Sequence, residues 1–126
     1  MARVLGVGGV FFKARDPKAL CQWYADVLGI EMMDWGGAVI EPHAMAAHAG
    51  AATVIATFKA ETQHFEPSTK EFMINFAVDD LDGMIERCER HGVAVKITAD
   101  DANGRFAHLM DPDGTKIELW QPKASG

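Results

Sequence analysis

The chain has 126 residues, a net charge of −6 and 48% hydrophobic residues, the size of one domain that buries most of its unfolded surface without needing a cofactor to hold it together. Its 12 Lys and Arg residues are scattered and its pI is near 5.2, which argues against a nucleic-acid or anionic-membrane partner, because both demand clustered cations. No apolar run approaches the roughly 18 residues of a membrane span, and the opening MARVLGVGGVFF lacks the small-residue cleavage site of a secretory signal, so a cytoplasmic protein is expected.

In chain order, VGGVFFK reads as a first strand, with Val10 and Phe12 aimed at a following helix and Gly9, Phe11 and Lys13 on the other face. The helix is marked by Asp16 as cap, Pro17 in its first turn, Leu20, Trp23, Tyr24, Val27 and Leu28 at helical spacing, and Gly29 as stop. Segments 30–35, 38–42 and 52–58 read as strands, separated by Gly36, Gly37 and the loop-like HAMAAHAGA. The polar stretch KAETQHFEPSTKE, residues 59–71, reads as a linker.

The pattern then repeats. A strand aims Ile74, Phe76 and Val78 at a second helix and leaves Met73, Asn75 and Ala77 on the opposite face. That helix is capped by Asp80, buries Leu81, Met84, Ile85 and Cys88, and ends at Gly92, although Gly83 weakens its first turn. Segments 93–98, 105–110 and 115–121 read as strands, the last two joined by the tight turn Asp111-Pro112-Asp113-Gly114. Each half is thus β-α-β-β-β, and the two copies should meet across a shared cleft. The fold class expected is α+β: one domain of two tandem modules, about 4–58 and about 72–122, curving a mixed sheet around that cleft. Cys21 and Cys88 lie one per helix without CxxC spacing and read as reduced, semi-buried thiols. No GxSxG, P-loop or dinucleotide fingerprint is present.

A doubled β-α-β-β-β unit carrying WYADVLG, VDDLD and GRFAHLMDPDGTKIELWQP resembles the vicinal oxygen chelate superfamily, which includes glyoxalase I, bleomycin- and fosfomycin-resistance proteins and extradiol dioxygenases. The resemblance implies a symmetric homodimer. It also implies metal ligands on the first and last strand of each module, the first-strand ligand being a His seven residues before the capping Asp. Those positions are Gly9 and Met73 here, and the first module's last-strand position falls among Ile55 to Phe58. Only Glu118, in KIELW, offers a hard donor.

The five histidines do not restore the set by spacing. His43, His48 and His64 lie in loop or linker, His91 at a helix end, and His108 on an expected strand, no two of them placed within one element to aim at one point. No metal and no other cofactor is therefore expected. His108 lies on the strand that pairs with that of Glu118, and if it faces inward the two form an acid-base pair. Glu118 is otherwise paired with Lys116 or Arg105, or simply wet. Asn75 either fixes a ligand's carbonyl or amide or satisfies a backbone neighbour. Phe11, Trp35, Phe58, Trp120 and Met73 line an aromatic and sulfur-rich pocket for a flat apolar molecule, or belong to the core. The expected function is metal-independent binding of an apolar or amphipathic small molecule; the alternative is a glyoxalase-like metal-dependent lyase or isomerase, or a dioxygenase.

Overall fold

The computed structural model describes residues 2–123, so that residue 1 and residues 124–126 of the expected domain lie outside the described residues. Helix α1, Pro17–Leu28, starts where expected: the Asp16 carboxylate accepts a hydrogen bond from the Ala19 amide at 3.1 Å. Gly29 ends it at φ 71°, returning its amide to the carbonyls of Ala25 and Tyr24. A side chain at that position would be strained in its backbone and would press on the Arg87 guanidinium. Arg87 needs that space, because its Nε donates to the Asp26 carbonyl and its second terminal nitrogen to that of Ala25, covering the carbonyl end of α1.

Helix α2 is a single short turn, Pro42–Ala46, which starts on the last residue of the expected strand 38–42 and runs into the stretch expected to be loop. Strand β1, Ile74–Ala77, leads into helix α3, Leu81–Arg90, which is capped by Asp80 through the Gly83 amide at 3.1 Å. Gly83, which by propensity weakens the first turn, has a local reason: a Cβ there would lie 2.5 Å from the Asp80 carboxylate. Strands β2, Lys96–Asp101, β3, Gly104–Met110, and β4, Lys116–Pro122, complete a four-stranded sheet of order β1-β4-β3-β2. Strand β4 is parallel to β1 and antiparallel to β3, which is antiparallel to β2.

Alternation along the strands divides the sheet. Ala107, Leu109, Ile117 and Leu119 face the helices and pack with Leu20, Tyr24, Val27, Leu28, Leu81 and Cys88 into one core. The β3–β4 turn closes that core. Asp111 is buried and its carboxylate accepts hydrogen bonds from the amides of Asp113 and Thr115, each at 2.9 Å, and from the Tyr24 hydroxyl at 2.8 Å. Burial, and then the neighbouring Asp111, push the Tyr24 phenol far up, so it stays a neutral donor.

The second half is the expected β-α-β-β-β unit. The first half differs from the expectation: among the described residues no strand precedes Ile74; segment 30–35 contributes only Met33 to an isolated bridge with Gly37, segment 38–42 ends in Pro42 of α2, and 52–58 has no regular structure. A strand is completed by its neighbours, and an alternating segment without a paired edge lacks the ladder that would hold it. Leu5, Phe11 and Ile55 are consequently 89%, 95% and 78% exposed. The expected linker is in turn anchored: Ser68 Oγ donates to the Gly114 carbonyl and Lys70 Nζ to Thr115 Oγ1.

Tyr24→Phe strips one partner from a buried carboxylate and is expected to cost about 2 kcal/mol, the scale of a hydrogen bond to a charged group. Arg15→Ala removes an ion pair to Asp113 whose arginine is 80% exposed and should cost far less, because solvent screens an exposed pair. Urea denaturation of both variants checks the contrast, and equal losses would contradict it.

Candidate functional site

The face of the sheet turned away from the helices carries a row of polar side chains set by strand register. Asn75 on β1 stands opposite Glu118 on β4, Glu118 opposite His108 on β3, and His108 opposite Lys96 on β2. Residues directly opposite across a sheet share a face. Asn75 Nδ2 donates to Glu118 Oε1 at 2.8 Å, and His108 Nε2 lies 2.7 Å from Glu118 Oε2. Both carboxylate oxygens are therefore used, one by each flanking strand.

Partial burial pushes the Glu118 carboxyl up, but the hydrogen bonds from His108 and Asn75, with the nearby imidazoles, outweigh it and hold it below the usual glutamate value. An ionised carboxylate only accepts, so His108 Nε2 carries the proton of their hydrogen bond. That arrangement orients the ring and leaves its Nδ1 side for another partner. A carboxylate with a bonded imidazole can anchor a polar ligand group or move a proton; the geometry suits both.

The next row along the strands is aromatic. Phe106 on β3 stands opposite Trp120 on β4, their rings stacked at 6.2 Å and 6°. Trp120 Nε1 donates to the Asn103 carbonyl at 3.0 Å. Gly104 permits this close packing, since a Cβ there would meet the indole nitrogen at 2.6 Å and the Gln121 carbonyl at 2.5 Å. Phe106 was legible as the residue two before His108 on the same strand face, a signal the sequence reading passed over.

The segment after residue 58 covers one end of the polar row. His64 lies edge-on to His108 at 5.6 Å between ring centroids, and Phe58 stacks flat on His64 at 5.0 Å and 6°. The His64 carbonyl accepts from Lys116 Nζ, which rises from β4 on the same face. His64, His108 and Glu118 each offer a ligand atom, all within 4.8 Å of one another. The two histidines come from different elements, where spacing within one element carries no information. No sequence signal marks His64, which sits in an aperiodic stretch.

Of the other predicted site residues, Met73 is half-buried immediately before β1 and Phe58 enters through His64. Phe11 lies over Gly9 and is almost wholly exposed; Trp35 is folded onto Met33 Sδ at 3.3 Å within the 33–37 turn. Neither reaches the polar row in the described contacts. The ligand positions implied by the resemblance do not assemble a metal centre. Gly9 has no side chain, Met73 offers a soft thioether, and residues 55–58 offer no acid, amide or imidazole, leaving Glu118 as the one carboxylate. Beside His108, a cavity of about 540 Å³ is bounded by Pro67, Val93, Val95, Lys96, Met110 and Lys116, among others, a volume within the range of small-molecule pockets.

Residues 9–120 match the glyoxalase-like domain family. TnmS3, an antibiotic-binding protein from Streptomyces sp. CB03234, is 36% identical over 40% of this chain and 44% of its own, with a TM-score of 0.38. A glyoxalase/bleomycin resistance protein from the same organism is 35% identical over 39% of this chain and 45% of its own, with a TM-score of 0.36. The chain thus spans less than half the length of either structure. A protein from the mobile metagenome of V. Pseudocholerae matches over 84% of this chain and 85% of its own at 19% identity, with a TM-score of 0.51, a likeness of fold. No curated protein matches the chain. Because the family match runs through nearly all of it, the chain belongs to the glyoxalase-like domain family of the vicinal oxygen chelate superfamily.

Proposed function

We propose that this glyoxalase-like protein binds a small amphipathic molecule on the open face of its sheet, and does so without a metal. The row Asn75–Glu118–His108 carries the reading: it holds a hydrogen-bonded carboxylate beside the stacked Phe106 and Trp120. The polar end of a ligand would bond to that row and its flat apolar body would lie on the aromatic pair. The implied metal positions at Gly9 and Met73 supply no hard donor for an ion, so in this reading affinity rests on shape and hydrogen bonds.

A second reading is favoured by one observation, the 2.7 Å contact of His108 with Glu118. It makes the pair a proton-transfer device in a metal-free isomerase or epimerase. The assembly we propose is a cytoplasmic homodimer. It is supported by the apolar side chains that the first half leaves exposed in a single chain, Leu5, Phe11, Val54 and Ile55 among them, and by the free thiols of Cys21 and Cys88.

A thermal-shift screen of aromatic antibiotics and hydrophobic metabolites should find compounds that raise the melting temperature. Trp120→Ala should then weaken the best compound by about tenfold or more, corresponding to about 1.4 kcal/mol; unchanged affinity would sink the reading. If the pair is catalytic, Glu118→Gln abolishes turnover with affinity held within a few fold, whereas in a binder only affinity changes. Light scattering should return twice the mass of one chain, and a monomer at all concentrations would refute the dimer.

The lowered carboxyl of Glu118 has a pH signature. Its contribution to stability is present above the ordinary glutamate value of 4.5 and is lost as pH falls through the lower folded value. Glu118→Gln should therefore be less stable than the parent at about pH 7 and approach it as the pH is taken progressively below 4.5. Asp82, Asp100 and Asp113 are also held low, by Arg105, Lys123 and Arg15 respectively. They are common to both proteins and cancel in the difference. A gap that persists undiminished in acid would contradict the assignment.

A further inference from the structure

We infer that His64, His108 and Glu118 form a site for one divalent transition-metal ion, built from residues other than those the superfamily resemblance implies, Glu118 excepted. Their donor atoms lie within 4.8 Å of one another. Ligands held at about 2.0–2.2 Å from a zinc-sized ion stand roughly 3–3.5 Å apart, so closure requires a modest inward shift. His64 is the ligand free to make it, being exposed and outside any regular element.

The surroundings orient each donor. Asn75 occupies Glu118 Oε1 and leaves Oε2 directed at His108, the kind of outer hydrogen bond that aims a ligating carboxylate. Phe58 stacks on the His64 ring, and Lys116 fixes the His64 backbone carbonyl. An ion at this point takes the place of the proton that His108 Nε2 shares with Glu118; that proton passes through solvent to His108 Nδ1, so the ligating imidazole stays neutral. Two imidazoles and one carboxylate suit zinc, cobalt or nickel, whereas calcium and magnesium prefer all-oxygen shells. Three protein ligands also leave a coordination position open.

This site goes beyond the binding reading, which needs no ion and makes no use of the His64 imidazole. An ion here would occupy Glu118 and His108, the polar anchors of that reading, so metal and ligand would contend for them. The two proposals fail separately: one through His64 and metal, the other through Trp120 and the organic compound.

The test is calorimetric titration of the metal-stripped full chain with Zn²⁺, alongside Co²⁺ followed by its visible d–d absorption. One ion per chain is expected, with a tetrahedral or five-coordinate cobalt spectrum. His64→Ala should weaken Zn²⁺ by more than about tenfold, the loss that even an outer-shell change produces, and Glu118→Gln should weaken it as well. His91→Ala should leave it unchanged. His64 is exposed, so circular dichroism of His64→Ala should match the parent; His64→Gln is a second variant that keeps a polar side chain. No saturable binding of either ion, or equal affinity in the parent and both His64 variants, would overturn the site.

Discussion

The pairing of β4 on both edges is the constraint from which the rest follows. Its parallel register with β1 sets Asn75 against Glu118, and its antiparallel register with β3 sets His108 against the same residue. A slip of one residue on either side would turn the polar row into the core and bring Ile117 and Leu119 out to solvent. Hydrophobic burial on the helix face therefore enforces the hydrogen-bonded row on the other. The row Asn75–Glu118–His108 is thus a consequence of core packing, and His64 joins it from a loop.

The β3–β4 turn secures that register from one end. Asp111 collects two turn amides and the Tyr24 hydroxyl, so α1 is bonded directly to the turn that aligns the two central strands. From the other side, Arg87 on α3 covers the carbonyl end of α1, and Gln121 on β4 accepts from the first amide of α3. Helices and sheet are thus joined by polar contacts at their ends as well as by the apolar layer between them. Buried donors and acceptors of this sort are costly unless paired, which makes the arrangement selective for one alignment.

The open face of the sheet combines a charged carboxylate, imidazoles and a stacked aromatic pair. The ligand we propose lies along the aromatic row and the ion we propose sits at the polar one, so both proposals draw on Glu118 and His108. Membership of a family settles the fold; which chemistry the face performs is decided by particular residues. Here Gly9 and Met73 remove the donors implied by the resemblance, while His64 brings an imidazole from a segment that in the sequence looks like a connector.

Much of this was legible from the sequence. Both helices are announced by a capping Asp and a terminal glycine, and segments 105–110 and 115–121 read as paired strands, so that His108 meets Glu118 if it faces the same way. These signals are local, set by side-chain period and by the needs of helix ends. The tertiary structure alone decided the rest: that Asn75 bonds to Glu118, that His64 approaches His108, and that the apolar segments of the first half are unpaired. The physical reason is that strand pairing and the path of an aperiodic segment depend on contacts with residues distant in the chain, and no period in the chain itself records them.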